Sequence, residues 1–403
     1  VLLQRLTDRL DGGVPLARAT FRTVGHSYPR NRDRAAFGAA ALPALVARAV
    51  RHGWVDIDVL EPSTSAAPLR RDPTDGQMVR HLVAHTGRVI RHHLRSIVVG
   101  ARWSVAVRCL DAPGHGDVDV VADGATDVRA GAGDACSWAW LPERRSGYHA
   151  DPFPARRDGV TAVMVEDFDE RTGSGVISAL VDDGSGRWQA RRGVLDPGGH
   201  ASYPFLVDDG DELYCIPETA RLGRTEAWRC RRFPDHWERA FTLIDEPVVD
   251  PTPTRWQGRW WLFGGRGDRD ANTELWLWSA DELAGPWTPH PLNPVKIDVT
   301  SSRPAGTPFV RDGRLIRPAQ DCSHTYGGAV VLNEVLAIDD TRFVERVVER
   351  LDPPAGRYRA GMHTRSQRDG LLTVDAKRAV FDPHRSWREL RARAHRRPET
   401  SRP

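Results

Sequence analysis

The chain has 403 residues, with 57 basic against 54 acidic side chains and a net charge of +3. That length allows two domains of ordinary size, and so small a charge excess carries no nucleic-acid signature. No apolar run reaches the roughly 18 residues a membrane-spanning helix needs, so no membrane span is expected.

Only Lys296 and Lys377 are lysines; the other basic residues are all arginine. With abundant Ala, Gly and Asp, this reads as a high-GC coding bias, and it implies a solvated surface of mixed charge. The five cysteines (Cys109, Cys136, Cys215, Cys230 and Cys322) are scattered, odd in number and without C-x-x-C spacing. They indicate neither a disulfide scaffold nor a structural zinc, and no metal or cofactor is expected. No signal-peptide pattern is visible and a cytoplasmic protein is expected, although the chain opens at Val1 without an initiator Met.

The first hundred residues carry apolar side chains at helical spacing over Ala35–Arg51 and Gln77–Val98. Tryptophan then divides the chain: only Trp54 precedes residue 100, and the other 13 come after it. From Trp103 onward the sequence is short strands broken by Gly, Pro and Asp. The Trp103–Val107 segment alternates as a strand and is suited to joining the last sheet of a closed ring. A Gly/Asp/Ala-rich loop, Leu110–Ala135, separates it from the remaining strands. The expected domains are an α-rich region over 1–100, a β region over 101–382 and an Arg-rich tail over 383–403.

Within the β region one hairpin recurs five times. The copies begin at Asp151-Pro152-Phe153, Tyr203-Pro204-Phe205, Asp250-Pro251-Thr252, Thr307-Pro308-Phe309 and Met362-His363-Thr364. Their turn glycines are Gly159, Gly210, Gly258, Gly313 and Gly370. A strand-built repeat of roughly 40–57 residues is the signature of a propeller blade. The predicted fold is therefore mainly β: a five-bladed β-propeller with a small α-rich N-terminal region.

In an antiparallel hairpin the start of the first strand lies beside the end of the second. The starts carry Asp151, Tyr203, Asp250, Arg303 (just upstream) and His363; the ends carry Glu166-Asp167, Glu218, Gly264-Gly265, Gln320-Asp321 and Asp375. If the inner strands run alike around the ring, these residues rise to one face of a central channel. Glycoside cleavage needs such convergence, because one protonated carboxyl must donate to the leaving oxygen and another must activate water or attack the sugar. Crowding like charges in a partly dry pocket separates the two roles. Each residue also has a structural reading. Asp before Pro forms Asx turns or caps backbone N–H groups. Arg303 either clamps a ligand anion or pairs with Asp321. His363 is either a site residue or a hydrogen-bonded core histidine. Trp260, Trp261, Trp276 and Trp278 read as inter-blade core.

Two resemblances add to this. Leu6-Thr7-Asp8-Arg9-Leu10-Asp11-Gly12-Gly13, followed by Pro15-Leu16, resembles the "L-D-x-G" segment near the end of a formyltransferase-type domain. That family's formyl-transfer residues lie upstream of this segment, so the resemblance implies a remnant without formyl transfer of its own; a helical packing arm is the other reading. The second runs from about Trp138 to Ala376. It rests on the D-P-F, Y-P-F and D-P-T strings with Ile216-Pro217-Glu218-Thr219, Gly258-Arg259-Trp260-Trp261-Leu262-Phe263, Gly285-Pro286-Trp287, Arg303-Pro304-Ala305-Gly306, Arg317-Pro318-Ala319-Gln320-Asp321-Cys322 and Gly361-Met362-His363-Thr364. These resemble the N-terminal domain of glucosamine inositolphosphorylceramide transferases and their bacterial relatives. That domain is similar to the propeller clan of fructosidases and arabinofuranosidases/xylosidases.

The resemblance implies Asp151 as base and Asp250 as the residue that tunes and orients. Where the clan's order would place an acidic Glu, this chain has Gln320-Asp321, leaving Glu218 or Glu166 as the acid, or no acid at all. Arg303, Asp321, His363 and Tyr203 are the expected substrate-binding residues. Two functions are open: a carbohydrate-active propeller that cleaves or transfers a glycosyl group, or a non-catalytic sugar or glycolipid recognition module beside a glycosyl- or formyltransferase partner. The partner is in either case a sugar-containing molecule.

Overall fold

The computed structural model describes residues 1–5, 13–53, 72–110 and 138–383. Most of the L-D-x-G string (residues 6–12), most of the predicted Gly/Asp/Ala-rich loop (from residue 111) and nearly all of the predicted tail (from residue 384) lie outside the described residues.

The fold is a five-bladed β-propeller in which every pairing within a blade is antiparallel. Blade one is Gly147–Arg157, Val160–Asp169, Ser174–Asp182 and Trp188–Leu195. Blade two is Ser202–Asp209, Glu212–Glu218, Thr225–Arg232 and His236–Ile244. Blade three is Val248–Trp256, Arg259–Arg266, Glu274–Ala280 and the short Thr288–Pro289, with Lys296–Ile297 also pairing the third strand. Blade four is Phe309–Arg311, Arg314–Asp321, Ala329–Ile338 and Phe343–Leu351.

Blade five takes strands from both halves of the chain. Arg365–Arg368 and Leu371–Phe381 come from the C-terminal side, whereas Val99–Cys109 and Ala139–Trp140 come from before blade one. The Leu371–Phe381 and Val99–Cys109 strands pair along their whole length, from Leu371↔Cys109 to Phe381↔Val99. The strand anticipated over Trp103–Val107 thus closes the ring, and it is longer than its alternation alone suggested. Val105 and Val107 pack with Val163, Val165 and Leu180 of blade one, so the closing strand also seals the seam between the last and first blades.

The inner hairpins owe their regularity to two-residue turns. Asp158-Gly159, Gln257-Gly258, Asp312-Gly313 and Asp369-Gly370 all have positive φ at both positions, the type I′ geometry that matches strand twist. Blade two differs. Asp209 ends its strand, paired with Glu212, and Gly210 opens the turn alone at positive φ.

The N-terminal region holds a hairpin, Leu2–Arg5 with Val14–Arg18, and helices Tyr28–Ala39, Leu42–Arg51 and Asp75–Val98. The single helix expected over Ala35–Arg51 is in fact two, broken at Ala40–Ala41. Pro43 sits in the first turn of the second helix, where its missing N–H costs nothing; within a continuous helix it would clash with the preceding turn. The third helix starts on a capping box between Thr74 and Gln77 and runs directly into the closing strand. The region docks on blade three: Thr20 N–H donates to Ile297 O (3.0 Å), Val299 N–H donates to Thr20 O (2.9 Å), and Ala19, Leu42 and Ile297 share a small core.

Because the closing strand is buried against blade one, Val105→Asp should place an unpaired charge in the seam and lower unfolding stability by about 3 kcal/mol or more, read from urea denaturation.

Candidate functional site

The blade-start residues share an unusual backbone. Asp151, Tyr203 and Asp250 each precede proline and each has positive φ, at 50°, 46° and 50°. Each lies at a register shift of the inner hairpin, where an extra residue on the first strand makes a bulge. A non-glycine residue at positive φ is held there only when its surroundings demand it. Here the demand is a chain of hydrogen bonds around the ring. Asp151 N–H donates to Asp375 Oδ2 of blade five (2.9 Å), and Tyr203 N–H donates to Asp151 Oδ2 (3.3 Å). The carboxylate of one blade thus secures the bulge of the next.

The inner-strand registers place the acids as the hairpin argument expected. Ala150 pairs with Glu166, and Ser202 with Glu218. Asp151 is buried. It accepts from Thr364 Oγ1 (2.7 Å) and faces His363 Nε2 at 3.7 Å. Burial pushes its carboxyl up to about 6; the cationic His363 opposes that shift, while the Asp375 and Asp250 charges add to it. Glu218 is partly exposed and rises further, to about 8. Desolvation is the first cause and the neighbouring Asp250 charge the second, with Arg303 pulling the other way. Glu166 is also held well above the usual carboxylate range, by burial and then by Asp151, Glu218 and Asp250. These mutual effects mean that five carboxyls from four blades, Asp151, Glu166, Glu218, Asp250 and Asp375, share one electrostatic site. Near neutral pH the arrangement has a protonated Glu218 near an ionised Asp151, with Glu166 shifted in the same direction as Glu218.

Asp250 is held differently. Arg303 grips it with two bonds, Nε to Oδ2 at 2.7 Å and Nη2 to Oδ1 at 3.2 Å, and Gln320 Nε2 donates to Oδ2 at 3.4 Å. Arg303 also reaches Asn272 Oδ1 (3.1 Å) and stacks over the Tyr326 ring at 5.0 Å. Its partner is therefore Asp250 and not Asp321. Asp321 is paired with Arg350 and accepts from Ser323 N–H (2.9 Å). Although burial works against it, these hydrogen bonds hold the Asp321 carboxyl below its usual range. Asp167, next to Glu166, is likewise bound by Arg144 (2.5 Å) and Arg192 (2.8 Å).

His363 lies flat on Trp103 of the closing strand (3.8 Å between ring centres, 14°) and donates through Nδ1 to Asp375 Oδ2 at 2.5 Å. Burial disfavours its charged form, but the Asp375 and Asp151 carboxylates outweigh that and its pKa is raised. Asp151, His363 and Asp375 bring ligand-type atoms within 4.8 Å of one another. However, Asp375 already accepts from Asp151, His363 and Thr364 N–H groups as well as His363 Nδ1. A cation there would have to displace this bracing. Tyr203 is wholly buried; its hydroxyl accepts from Gly306 N–H (2.8 Å) and contacts Thr252 Oγ1 (3.0 Å), joining three blades.

Several site neighbours were not anticipated. Tyr326 and Trp103 supply the aromatic wall around His363. His200 Nε2 stands 4.0 Å from Glu166 Oε1 while its Nδ1 accepts from Gly175 N–H (2.9 Å). A Cβ at Gly175 would come within 2.6 Å of Glu166 Oε1, so only glycine leaves room for that carboxyl. Lys377, one of the two lysines, is buried over the Trp103 ring (4.9 Å), bonded to Tyr326 O, and depressed by burial to about 8. Asp375 stood out only as a strand end; Tyr326 and His200 come from loops, Trp103 from the closing strand, and Lys377 and Gly175 from blade strands away from the starts and ends that the repeat marks.

Residues 135–360, more than half of the chain, match the family described as glucosamine inositolphosphorylceramide transferase 1, N-terminal. The chain belongs to this family. Among its relatives, glucosamine inositolphosphorylceramide transferase 1 of Oryza sativa subsp. japonica is 32% identical over 207 residues, 50% of this chain and 28% of the relative. The Arabidopsis thaliana protein of the same name is 31% identical over 210 residues, 50% and 27% respectively. The match thus spans little more than a quarter of these relatives' length. Among solved structures, Zg3597, a family 117 glycoside hydrolase of Zobellia galactanivorans, has a TM-score of 0.40 at 11% identity over 58% of this chain and 85% of its own. An exo-beta-1,3-galactanase of Phanerochaete chrysosporium has a TM-score of 0.41 at 11% identity, over 53% and 58%.

Two outcomes are expected of this transferase-family propeller. Tyr203→Phe should strand the Gly306 N–H and cost about 1–3 kcal/mol in urea denaturation. Glu218 binds its proton more tightly folded (about 8) than unfolded (near 4.5), so its ionisation opposes folding as pH rises through that window. Glu218→Gln should therefore raise the urea midpoint at pH 8, and the gain should shrink towards zero near pH 4.5.

Proposed function

We propose that this propeller acts on a carbohydrate, cleaving or transferring a glycosyl group in its central channel. The observation that carries the reading is the separation of proton affinities among carboxyls in one site: Glu218 rises to about 8 and Asp151 only to about 6. A protonated Glu218 suits proton donation to a leaving oxygen, and an ionised Asp151 suits activation of water or attack on the sugar. Glu166 is the second candidate acid. Asp250, fixed by Arg303, would set the field felt by Glu218 and orient the sugar. Tyr203, Asp321 and His363 enter the proposal mainly as residues that shape the pocket, His363 by holding Asp151 in place.

A recognition module remains the second reading, favoured by one observation. The blade-four place where the resemblance would put an acidic Glu holds Gln320-Asp321: Gln320 donates to Pro304 O (3.1 Å) and Asp250, and Asp321 is paired with Arg350. Such a module would present a sugar or glycolipid headgroup to a glycosyl- or formyltransferase partner. We also propose the division into a formyltransferase-like region over 1–100, the propeller over 101–382 and a tail over 383–403. A bacterial origin and a cytoplasmic setting belong to the same proposal, the latter supported by free thiols at Cys109, Cys215, Cys230 and Cys322.

The test is turnover of a panel of p-nitrophenyl glycosides, with glycan binding measured in parallel. Asp151→Asn and Glu218→Gln should each reduce turnover by about 100-fold or more while thermal unfolding stays cooperative. Full activity in both variants would overturn catalysis. Glycan binding without turnover, unchanged in both variants, would select the recognition module.

A further inference from the structure

The Asp75–Val98 helix faces the wrong way for a helix packed on a globular domain. A surface helix ordinarily turns its apolar stripe inward. Here Val79, Leu82, Val83, Ile90 and Leu94 are between 54% and 68% exposed. The contacts that tie the helix to the N-terminal segment come from its polar side instead: Arg88 Nε donates to Gly25 O (3.1 Å), and the His92 ring stacks on His26 at 3.6 Å.

At 3.6 residues per turn the apolar side chains occupy one arc, and Arg80, Arg88, Arg91 and Arg95 lie on the opposite one. Asp75, in the first turn, is the only acid in the helix. The 24 residues extend about 36 Å.

The charge pattern selects among occupants. A second copy seated on this face would add a second set of arginines with only one further acid, its own Asp75, to answer them, which disfavours self-association. An anionic bilayer surface satisfies both arcs: the acyl boundary accepts the valines, leucines and isoleucine, and the headgroups accept the arginines. No helix among the described residues is long and apolar enough to cross a membrane, which fits a helix lying in the interface. We propose that this helix is a peripheral membrane anchor for anionic lipid. Because it continues into Val99–Cys109, the closing strand of the ring, docking would hold the propeller at the bilayer surface. This inference is independent of whether the channel is catalytic.

The test is co-sedimentation of the full chain with vesicles of phosphatidylcholine plus phosphatidylglycerol, against phosphatidylcholine alone. Binding should be about tenfold stronger on the anionic vesicles and should fall as salt is raised. The double substitution Leu82→Glu with Ile90→Glu should abolish it with the circular dichroism spectrum and melting unchanged, since both residues are exposed. Arg91→Glu with Arg95→Glu should weaken it several-fold. Anionic-vesicle binding that survives Leu82→Glu with Ile90→Glu would overturn the proposal. So would absence of vesicle binding, whether the chain is a monomer or a dimer dissolved by the same substitutions; the dimer would identify a second copy as the occupant.

Discussion

A single buried carboxylate, Asp375, ties the ring together at its seam. It accepts the backbone N–H groups of Asp151, His363 and Thr364, and the His363 ring. Asp375 sits on the strand that pairs with the closing strand, whereas Asp151 opens blade one. The same atoms therefore join the two ends of the propeller and fix a candidate site carboxylate. A charge so buried is tolerable only when its acceptor positions are filled, and here backbone donors fill them. With Asp375 braced, Asp151 can hold its left-handed backbone and in turn brace Tyr203.

The site's electrostatics depend on which acids receive cations and which do not. Asp167, Asp250 and Asp321 each have an arginine in bonding contact, and each stands beside a residue of the central site. Glu166 and Glu218 have none in bonding contact among the described residues; Glu166 faces only His200, at 4.0 Å. Desolvation and mutual repulsion then push these two glutamates upward. The protein thus divides its site carboxyls into those gripped by arginines and those raised by burial and mutual repulsion. Lysine is nearly absent, and its two occurrences are both internal. Lys377 lies over Trp103, and Lys296 shares Glu345 with Arg317. A compact ammonium fits these spaces, whereas a planar guanidinium needs more room and more acceptors.

The repeat was legible because a two-residue hairpin turn demands residues that tolerate positive φ. Asp-Gly and Gln-Gly announce themselves at each inner hairpin, and the blade count comes from them. The acids at strand starts and ends were legible for the same reason, since pairing alone sets Asp151 near Glu166 and Ser202 opposite Glu218. Partners from outside the repeat were not. Arg303 was matched with a ligand anion or with Asp321, and only the path of its loop gives it to Asp250. The helix break at Ala40–Ala41 was signalled by Pro43, a residue that the apolar spacing of Ala35–Arg51 obscured.

Local and periodic features could be read directly from the residues: five hairpins, their turns, the strand that closes the ring, and the amphipathic pattern of Asp75–Val98. These depend on neighbours within a few residues and on steric rules for φ. Which acids keep their protons, and which side of that helix meets solvent, emerged only with the assembled fold. Both depend on groups tens to hundreds of residues away, such as Asp375 to Asp151 and Arg303 to Asp250, whose Coulomb and desolvation energies vary with distance and burial, not with sequence spacing.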